Sequence, residues 1–380
     1  CSAGLTGGTG MADKRSKSVE IPTFKQSAKA YDGWLRQQAG KTFVAADMKW
    51  KNQKISENAF SFLRGTYWRF AETILKDAPE TAACPPILAV GDIHLENFGL
   101  WRDADSRMTW GVNDFDEAAT MPYALDLVRL GLSAILARKG AKPTEKEICA
   151  RILRGYRKGI TQPQPTILEQ EHDRLREAMN LPPTERSKYW AKMQLACFDK
   201  PVAASAVPAP HAKALRAAMP DPKIKLQFAR RVAGTGSLGR PRFVAWGHWR
   251  GGIVLRESKM LCASAWRFSG AEEVAIQSGK IAGGAHRAPD PNYRVADGIV
   301  VRRLGPTYRK IEAKRDPAEL LNLDLLEMMG FELGACHAGD AAHVAAVRKD
   351  VKKRTARWLR KQVNSAAKRL NADFKSIRKR

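Results

Sequence analysis

The sequence predicts an α+β fold in two lobes, helical toward both ends of the chain and β-rich between them. Three observations predict it. Apolar residues recur at helical spacing from Phe24 to about Ala78 and again from Pro317 onward. Between about 223 and 305 the chain instead alternates β-prone runs with glycine turns. Its 380 residues also exceed one small core, at roughly 100–200 residues per domain. The expected division is a disordered tail over 1–20, a helical lobe over 21–222, a β-rich lobe over 223–305, and C-terminal helices over 306–380 that return to the first lobe.

Each element has a local cause. Residues 1–20 are polar and lack an apolar signal core, and the stretch before Met11 reads as an extension of the native start. "FSFLRGTYWRFAETILKDA" continues the helical pattern until "TAACPP" breaks it. "PILAVGD" is a short strand ending in turn chemistry and "MTWGVNDFD" a second, with "RDADSR" as the loop between them. Pairing these two would set their loop ends side by side. "MPYALDLVRLGLSAILARKG" is a helix between Pro122 and Gly140. "EKEICARILRGYRKGI", "TILEQEHDRLREAMNL" and "ERSKYWAKMQLACF" are three more. The Ala- and Pro-rich stretch 201–223 is the candidate boundary. After it, "IKLQFARRVAGTGSLGRPRFVAWGHWRGGIVLRESKM" reads as strand, glycine loop, strand, tight turn, strand. "AEEVAIQSGKIAGG" then looks helical and "YRVADGIVVRRLG" β-prone.

Composition narrows the class of protein. No apolar run approaches the ~20 residues of a membrane span. The six cysteines are scattered singly, which fits free buried thiols in a reducing cytoplasm. Net charge is +26, and residues 341–380 hold fourteen lysines and arginines against two aspartates. Such a field attracts polyanions, although Val347, Val351, Leu359, Val363, Leu370 and Phe374 also supply the stripe of an ordinary docked helix.

"AVGDIHLENFGLW" (89–101) carries the first chemical signal. In a D-x-x-x-x-N loop, Asp92 can accept a proton from a hydroxyl while the Asn97 amide oxygen ligates a divalent metal. Asp114 of "VNDFDEA" (112–118) can complete a Mg²⁺ site on a neighbouring strand end, with Asp116 as a second ligand or a turn acid. "GTGSLG" supplies Gly234, Gly236, Ser237 and Gly239, and β-prone "RFVAW" follows it. A dinucleotide-binding loop must instead open a helix. Strand–loop–strand is the arrangement in which kinases fold backbone over the phosphates of ATP. Lys259 follows on the next strand as a phosphate-gripping lysine, with Glu272 or Glu273 as its carboxylate partner.

"FSFLRGT", "AVGDIHLENFG" and "VNDFDEAATMPYALDLVRL" together resemble the bacterial domain of unknown function 2252 family, which groups with the protein-kinase-like and aminoglycoside-phosphotransferase-like superfamily. The similarity is densest over about 59–160 and resumes over about 230–340 through "VAGTGSLG", "IVVRRLGP" and "GACHAGD". The resemblance implies Asp92 as catalytic base, Asn97 and Asp114 as metal ligands, and Asp126 as a buried carboxylate bracing the loop. His94 and Glu96 would orient that loop. Arg64 would meet a phosphate or form a structural ion pair.

Glycine loop and lysine here follow the acidic motifs, the reverse of ordinary kinases, so the implied order is circularly permuted. "ESKM" and the hairpin "GHWRGG" depart further from the pattern. The function expected is phosphoryl transfer from Mg-ATP to the hydroxyl of a small molecule. Its acceptor side is expected within 140–220, where no signature can be read. Transfer of AMP uses the same parts, and a catalytically inactive scaffold binding nucleic acid or another polyanion is the alternative from a different class.

Overall fold

In the computed structural model, which describes residues 21–272, 275–308, 310–313 and 316–378, the N-terminal third is helical for the reasons its spacing gives. Helix Phe24–Ala39 opens on a capping box between Thr23 and Gln26 and buries Phe24, Tyr31, Trp34 and Leu35. Helices Ala45–Glu57, Ala59–Gly65 and Tyr67–Asp77 follow. The whole is a mixed α+β structure with three small sheets among the described residues.

Strand β1 (Pro86–Ala89) leads into a single turn at Leu95–Asn97, and β2 (Phe98–Arg102) starts directly after it. The next strands are β3 (Met108–Val112), β4 (Ala119–Pro122) and β5 (Thr166–Ile167). One expectation is corrected here: β3 pairs not with β1 but with β2, the strand formed by "FGLWR" between them, and β1 pairs with β4. The short loop after β2 is a hairpin return. Asp103 accepts the backbone N–H groups of Asp105 and Arg107 at 3.1 and 2.8 Å and holds the Arg107 guanidinium, so the chain can fold straight back. Phe98 lies opposite Val112, which sets Asn97 and Asn113 side by side, and the Asn113 N–H donates to the Asn97 carbonyl at 2.9 Å.

The later strands β6 (Gln227–Arg230), β7 (Arg242–Trp249), β8 (Gly252–Met260), β9 (Arg294–Ala296) and β10 (Ile299–Arg303) form one antiparallel sheet in the order β6-β7-β8-β10-β9. A two-residue turn, Arg250–Gly251, joins β7 to β8 with both φ angles positive, at 45° and 83°. Alternation divides the faces. Phe228, Phe243, Ala245, Ile299 and Val301 form an apolar cluster with Leu215 of helix Ala209–Ala217. On the other face Ala229, Val244, Trp246 and Leu255 pack with Met193 and Cys197. Farther along that second face the period-two positions become Arg242, Glu257, Lys259 and Arg302.

Between β8 and β9 the expected helix is mostly absent. A turn at Ala265–Ser269 and a five-residue helix at Ser278–Ala282 stand there, and Glu272 lies outside both. Helices Leu323–Ala338 and Ala356–Arg378 pack against the earlier helices. Leu359, Val363, Ala366, Leu370 and Phe374 of the last helix are buried in the main core. Ion pairs Arg69–Asp373 (2.8 Å) and Arg369–Asp77 (3.0 Å) hold it there. Its apolar stripe is thus consumed within the chain, while Lys361, Lys368 and Lys375 remain exposed. Cys84, Cys149, Cys197, Cys262 and Cys336 are buried free thiols, and among the described residues no helix is long and apolar enough to cross a membrane.

Candidate functional site

The acidic residues of the first strands and the charged end of the sheet meet in one cavity of about 280 Å³. Its floor begins with Asp92, just past β1. The turn carrying it is fixed from beneath by Asp126, fully buried, which accepts the Val90 and Gly91 N–H groups at 2.7 and 2.9 Å. His337 stands 3.0 Å from Asp126, and the Tyr156 hydroxyl 2.8 Å from His337, so a buried polar chain links three helices to the loop.

Asp92 itself is bound to Arg129, whose Nε donates to Oδ1 at 2.9 Å and whose Nη2 reaches the same oxygen. Arg129 is wholly buried, with its guanidinium 5.0 and 4.9 Å from the ring centroids of Tyr67 and Phe70. Burial pushes the Asp92 carboxyl up to about 6, against the pull of Arg129. The Asn97 side-chain nitrogen donates to the Asp92 carbonyl at 2.7 Å, which commits that end of the amide and leaves its oxygen for another partner. His94 accepts the Glu96 N–H through Nδ1 at 3.1 Å, and burial together with Arg64 and Arg129 holds it neutral. Glu96 pairs with Arg64 at 2.7 Å and accepts the Ala313 N–H at 2.9 Å, so His94, Glu96 and Arg64 are tied together around the turn.

The opposite wall comes from the sheet. Lys259, buried on β8, reaches Asp114 at 3.3 Å and Asp116 at 2.5 Å. Burial raises the Asp114 carboxyl, but Lys259, Lys310 and Arg302 together hold it well below the usual carboxylate range. Asp116 is also 3.3 Å from Arg240. Lys259 therefore takes its carboxylates from the segment after β3. Glu272 is exposed and outside any helix, and Glu273 lies outside the described residues. The expected partnership fails for Glu272 because the segment after β8 does not form the helix that would carry it back over the sheet.

The glycine loop closes the roof. A Cβ on Gly236 would stand 3.2 Å from the Arg64 carbonyl and 3.4 Å from Asp92 Oδ2, so the loop passes close over the floor here. Gly234 and Gly239 both have positive φ, at 77° and 94°. Ser237 accepts from Arg242 at 2.6 Å, which fastens the loop to the sheet.

Several residues were not read from sequence. Glu257, two positions before Lys259 and on the same face, accepts from Arg242 and Arg302 at 2.8 Å and from Arg231. Despite burial these three guanidiniums hold its carboxyl well below the usual range. Its alternation with Lys259 was a usable signal. Arg129, a charge inside the apolar run "LDLVRLGL", was another. Lys310, lowered to about 8 by burial, sits in an irregular segment with no pattern to find it.

A second cavity of about 300 Å³ adjoins the first, with Arg231, Arg302, Lys310 and Glu312 lining both. Leu100, Trp101, Val112, Tyr293, Leu304 and Tyr308 make it largely apolar and aromatic. The walls near Asp92 come from Tyr31, Arg64, Gly65, Tyr67 and Trp68, all in the N-terminal helical region. Of residues 140–220, Tyr189 alone lines either cavity.

Residues 44–197 match the profile of a family described as an uncharacterized protein conserved in bacteria (DUF2252). That segment holds Asp92, Asn97, Asp114 and Asp126 and ends before the glycine loop and Lys259. No curated protein matches the chain, and no solved structure matches it.

Proposed function

We propose that the protein is a Mg²⁺-dependent phosphotransferase that moves the γ-phosphoryl group of ATP to a hydroxyl of a small molecule. One observation carries this reading: Lys259 and Asp114, 145 residues apart, approach to 3.3 Å, and Asp114 lines a cleft together with Asp92, Asn97 and residues 234–237 of the glycine loop. Phosphoryl transfer asks for these parts, because its catalysis is positioning and charge neutralisation around phosphate oxygens. A polyanion-binding scaffold accounts for the basic surface but leaves the converging carboxylates without a role.

The roles follow from the contacts. The backbone of 234–239 covers the phosphates, and Lys259, with Arg302 and Lys310 nearby, offsets their charge. Asp92 Oδ1 is occupied by Arg129, so Oδ2, facing the cleft beneath Gly236, accepts the proton of the attacking hydroxyl. The oxygen donors of Asn97 and Asp114 suit Mg²⁺, which binds through few protein groups and keeps waters and phosphates as its other ligands. When bound, the ion would neutralise phosphate charge. Among the described residues no cluster of three or more His, Cys, Asp or Glu side chains forms a metal cage. The adjoining aromatic cavity is of a size and character to take the base.

The sheet order also supports a kinase-like lobe. The glycine loop joins its first two strands, the lysine lies on the third, and the fifth strand inserts between third and fourth. Chain order is then permuted relative to ordinary kinases, which a site assembled in space tolerates.

Asp114→Ala is expected to abolish Mg²⁺-dependent ATP binding in titration calorimetry; an unchanged affinity overturns the assignment. Incubation with α- or γ-labelled ATP separates the two transfer chemistries, and label retained on the acceptor from the α position would mean that AMP moves instead.

A further inference from the structure

The run "GACHAGD" (334–340) ends helix Leu323–Ala338, and none of its residues lines either cavity. That helix lies backbone to backbone against helix Glu145–Thr161. Gly155 and Gly159 on one and Gly330 and Gly334 on the other permit the approach: a Cβ at these four positions would stand 1.8, 2.0, 2.2 and 2.6 Å from carbonyl oxygens of the facing helix. Packing this close fixes how the helix is turned.

The end of the helix holds the strand before Asp92. Asp126 accepts the Val90 and Gly91 N–H groups, and His337 Nε2 stands 3.0 Å from the same Oδ2 that takes Val90. Tyr156, from the facing helix, places its hydroxyl 2.8 Å from His337 Nδ1. Nε2 is therefore the donor to Asp126, and Nδ1 accepts from Tyr156. Asp340, just past the helix, accepts the Leu88 N–H at 2.8 Å.

Farther back, the same helix holds the strand before Asp114. Arg287 donates to the Val112 carbonyl at 2.7 Å and is seated on Cys336 Sγ at 2.8 Å and Glu332 at 3.7 Å. Glu332 accepts the N–H and hydroxyl of Thr166 on β5 at 3.2 and 2.9 Å. It lies so near β3 that a Cβ on Gly111 would stand 2.1 Å from its Oε2. Asp92 and Asp114 thus each follow, by two residues, a backbone group tied to this helix. Strands β1 and β3 belong to different sheets, so no ladder sets one against the other.

We propose that helix Leu323–Ala338 sets the distance between Asp92 and Asp114, with His337 the positioning residue for the first and Glu332 for the second. The inference rests on the phosphotransferase reading for what that distance serves: an acceptor hydroxyl beside Asp92 has to meet the phosphoryl group of Mg-ATP near Asp114, and a misplacement of about 1 Å slows such a reaction.

Two substitutions separate positioning from folding. In His337→Gln the amide nitrogen reaches the place of Nε2 and keeps the bond to Asp126, whereas in His337→Asn the amide oxygen reaches the place of Nδ1 and keeps only the bond to Tyr156. Each loses one buried hydrogen bond, so a merely structural role would move both alike. In the full chain, His337→Asn is expected to raise amide hydrogen exchange over residues 88–97 by about ten-fold. It is also expected to slow release of labelled phosphate from γ-labelled Mg-ATP to water by about 10–10²-fold, with Mg-ATP affinity in calorimetry unchanged. His337→Gln is expected to match the native chain in all three measurements. Glu332→Gln keeps an acceptor for Thr166 but turns an NH₂ group toward Arg287, and is expected to raise exchange over 109–116 and to weaken Mg-ATP binding. Equal effects of the two His337 variants, failure of either to fold, or unchanged exchange over 88–97 in His337→Asn or over 109–116 in Glu332→Gln overturn the inference. A native chain that neither binds Mg-ATP nor releases phosphate defeats the phosphotransferase reading instead, and the exchange comparison still decides whether the helix holds the two segments.

Discussion

Glu257→Gln is expected to destabilise the protein by about 3–5 kcal/mol, the range for removing one partner from a buried ionic cluster. Against a typical total of roughly 5–15 kcal/mol, that is a large fraction. The carboxylate is 1% exposed and joins Arg231, Arg242 and Arg302, drawn from the segments flanking or forming β6, β7 and β10. Glutamine keeps one acceptor oxygen but turns an NH₂ group toward a guanidinium that is itself only a donor. One buried and two partly buried positive charges are then left with no central anion. Chemical denaturation of the two proteins at neutral pH measures the difference, and a loss below about 1 kcal/mol would show that the cluster is not what joins these strands.

The same residue makes a signed prediction in acid. Its folded-state value is held below the ordinary 4.5, so its stabilisation is present above that pH and is lost as pH falls through the depressed folded value. The native chain is therefore expected to lose stability on acidification below about 4.5 more steeply than Glu257→Gln, in which this group no longer titrates. Parallel slopes would contradict the assignment.

Asp92→Asn is expected to cut phosphoryl transfer by about 10²–10⁴-fold, the usual contribution of a positioned general base, while leaving Mg-ATP affinity largely intact. The amide cannot take the acceptor's proton. It also weakens the anchor to Arg129, a side chain with no solvent exposure of its own, so a lower melting temperature is expected alongside the lost activity. Arg129→Met separates these effects: it retains the carboxylate but frees it to rotate, and intermediate activity is expected. Turnover within about three-fold of native in Asp92→Asn, a change of only ~0.7 kcal/mol in barrier, would remove Asp92 from the chemistry.

How much of this was legible depended on distance along the chain. The hairpin at Arg250–Gly251, the helix beginning at Ala124 and the strand–loop–strand around "GTGSLG" follow from turn chemistry and periodicity within a dozen residues. The pairing of β3 was misread because "FGLWR", buried over most of its length, shows no alternation, and apolar runs of that length are ambiguous. Of the helix expected over 271–284, the described residues form only Ser278–Ala282, where Ile281 and Ala282 are buried.

By itself the sequence determined the small chemical vocabulary of the cleft, with Asp92, Asn97, Asp114, the glycines and Lys259 each recognisable from residue type and spacing. Tertiary structure alone decided their partners: Lys259 with Asp114 and Asp116 in place of Glu272, Asp92 with Arg129, and Glu257 among three arginines. With 65 lysines and arginines and 39 acids, local pattern offers far too many possible pairs. The choice among them is made by burial, which penalises every unpaired charge and is set by how segments more than a hundred residues apart pack together.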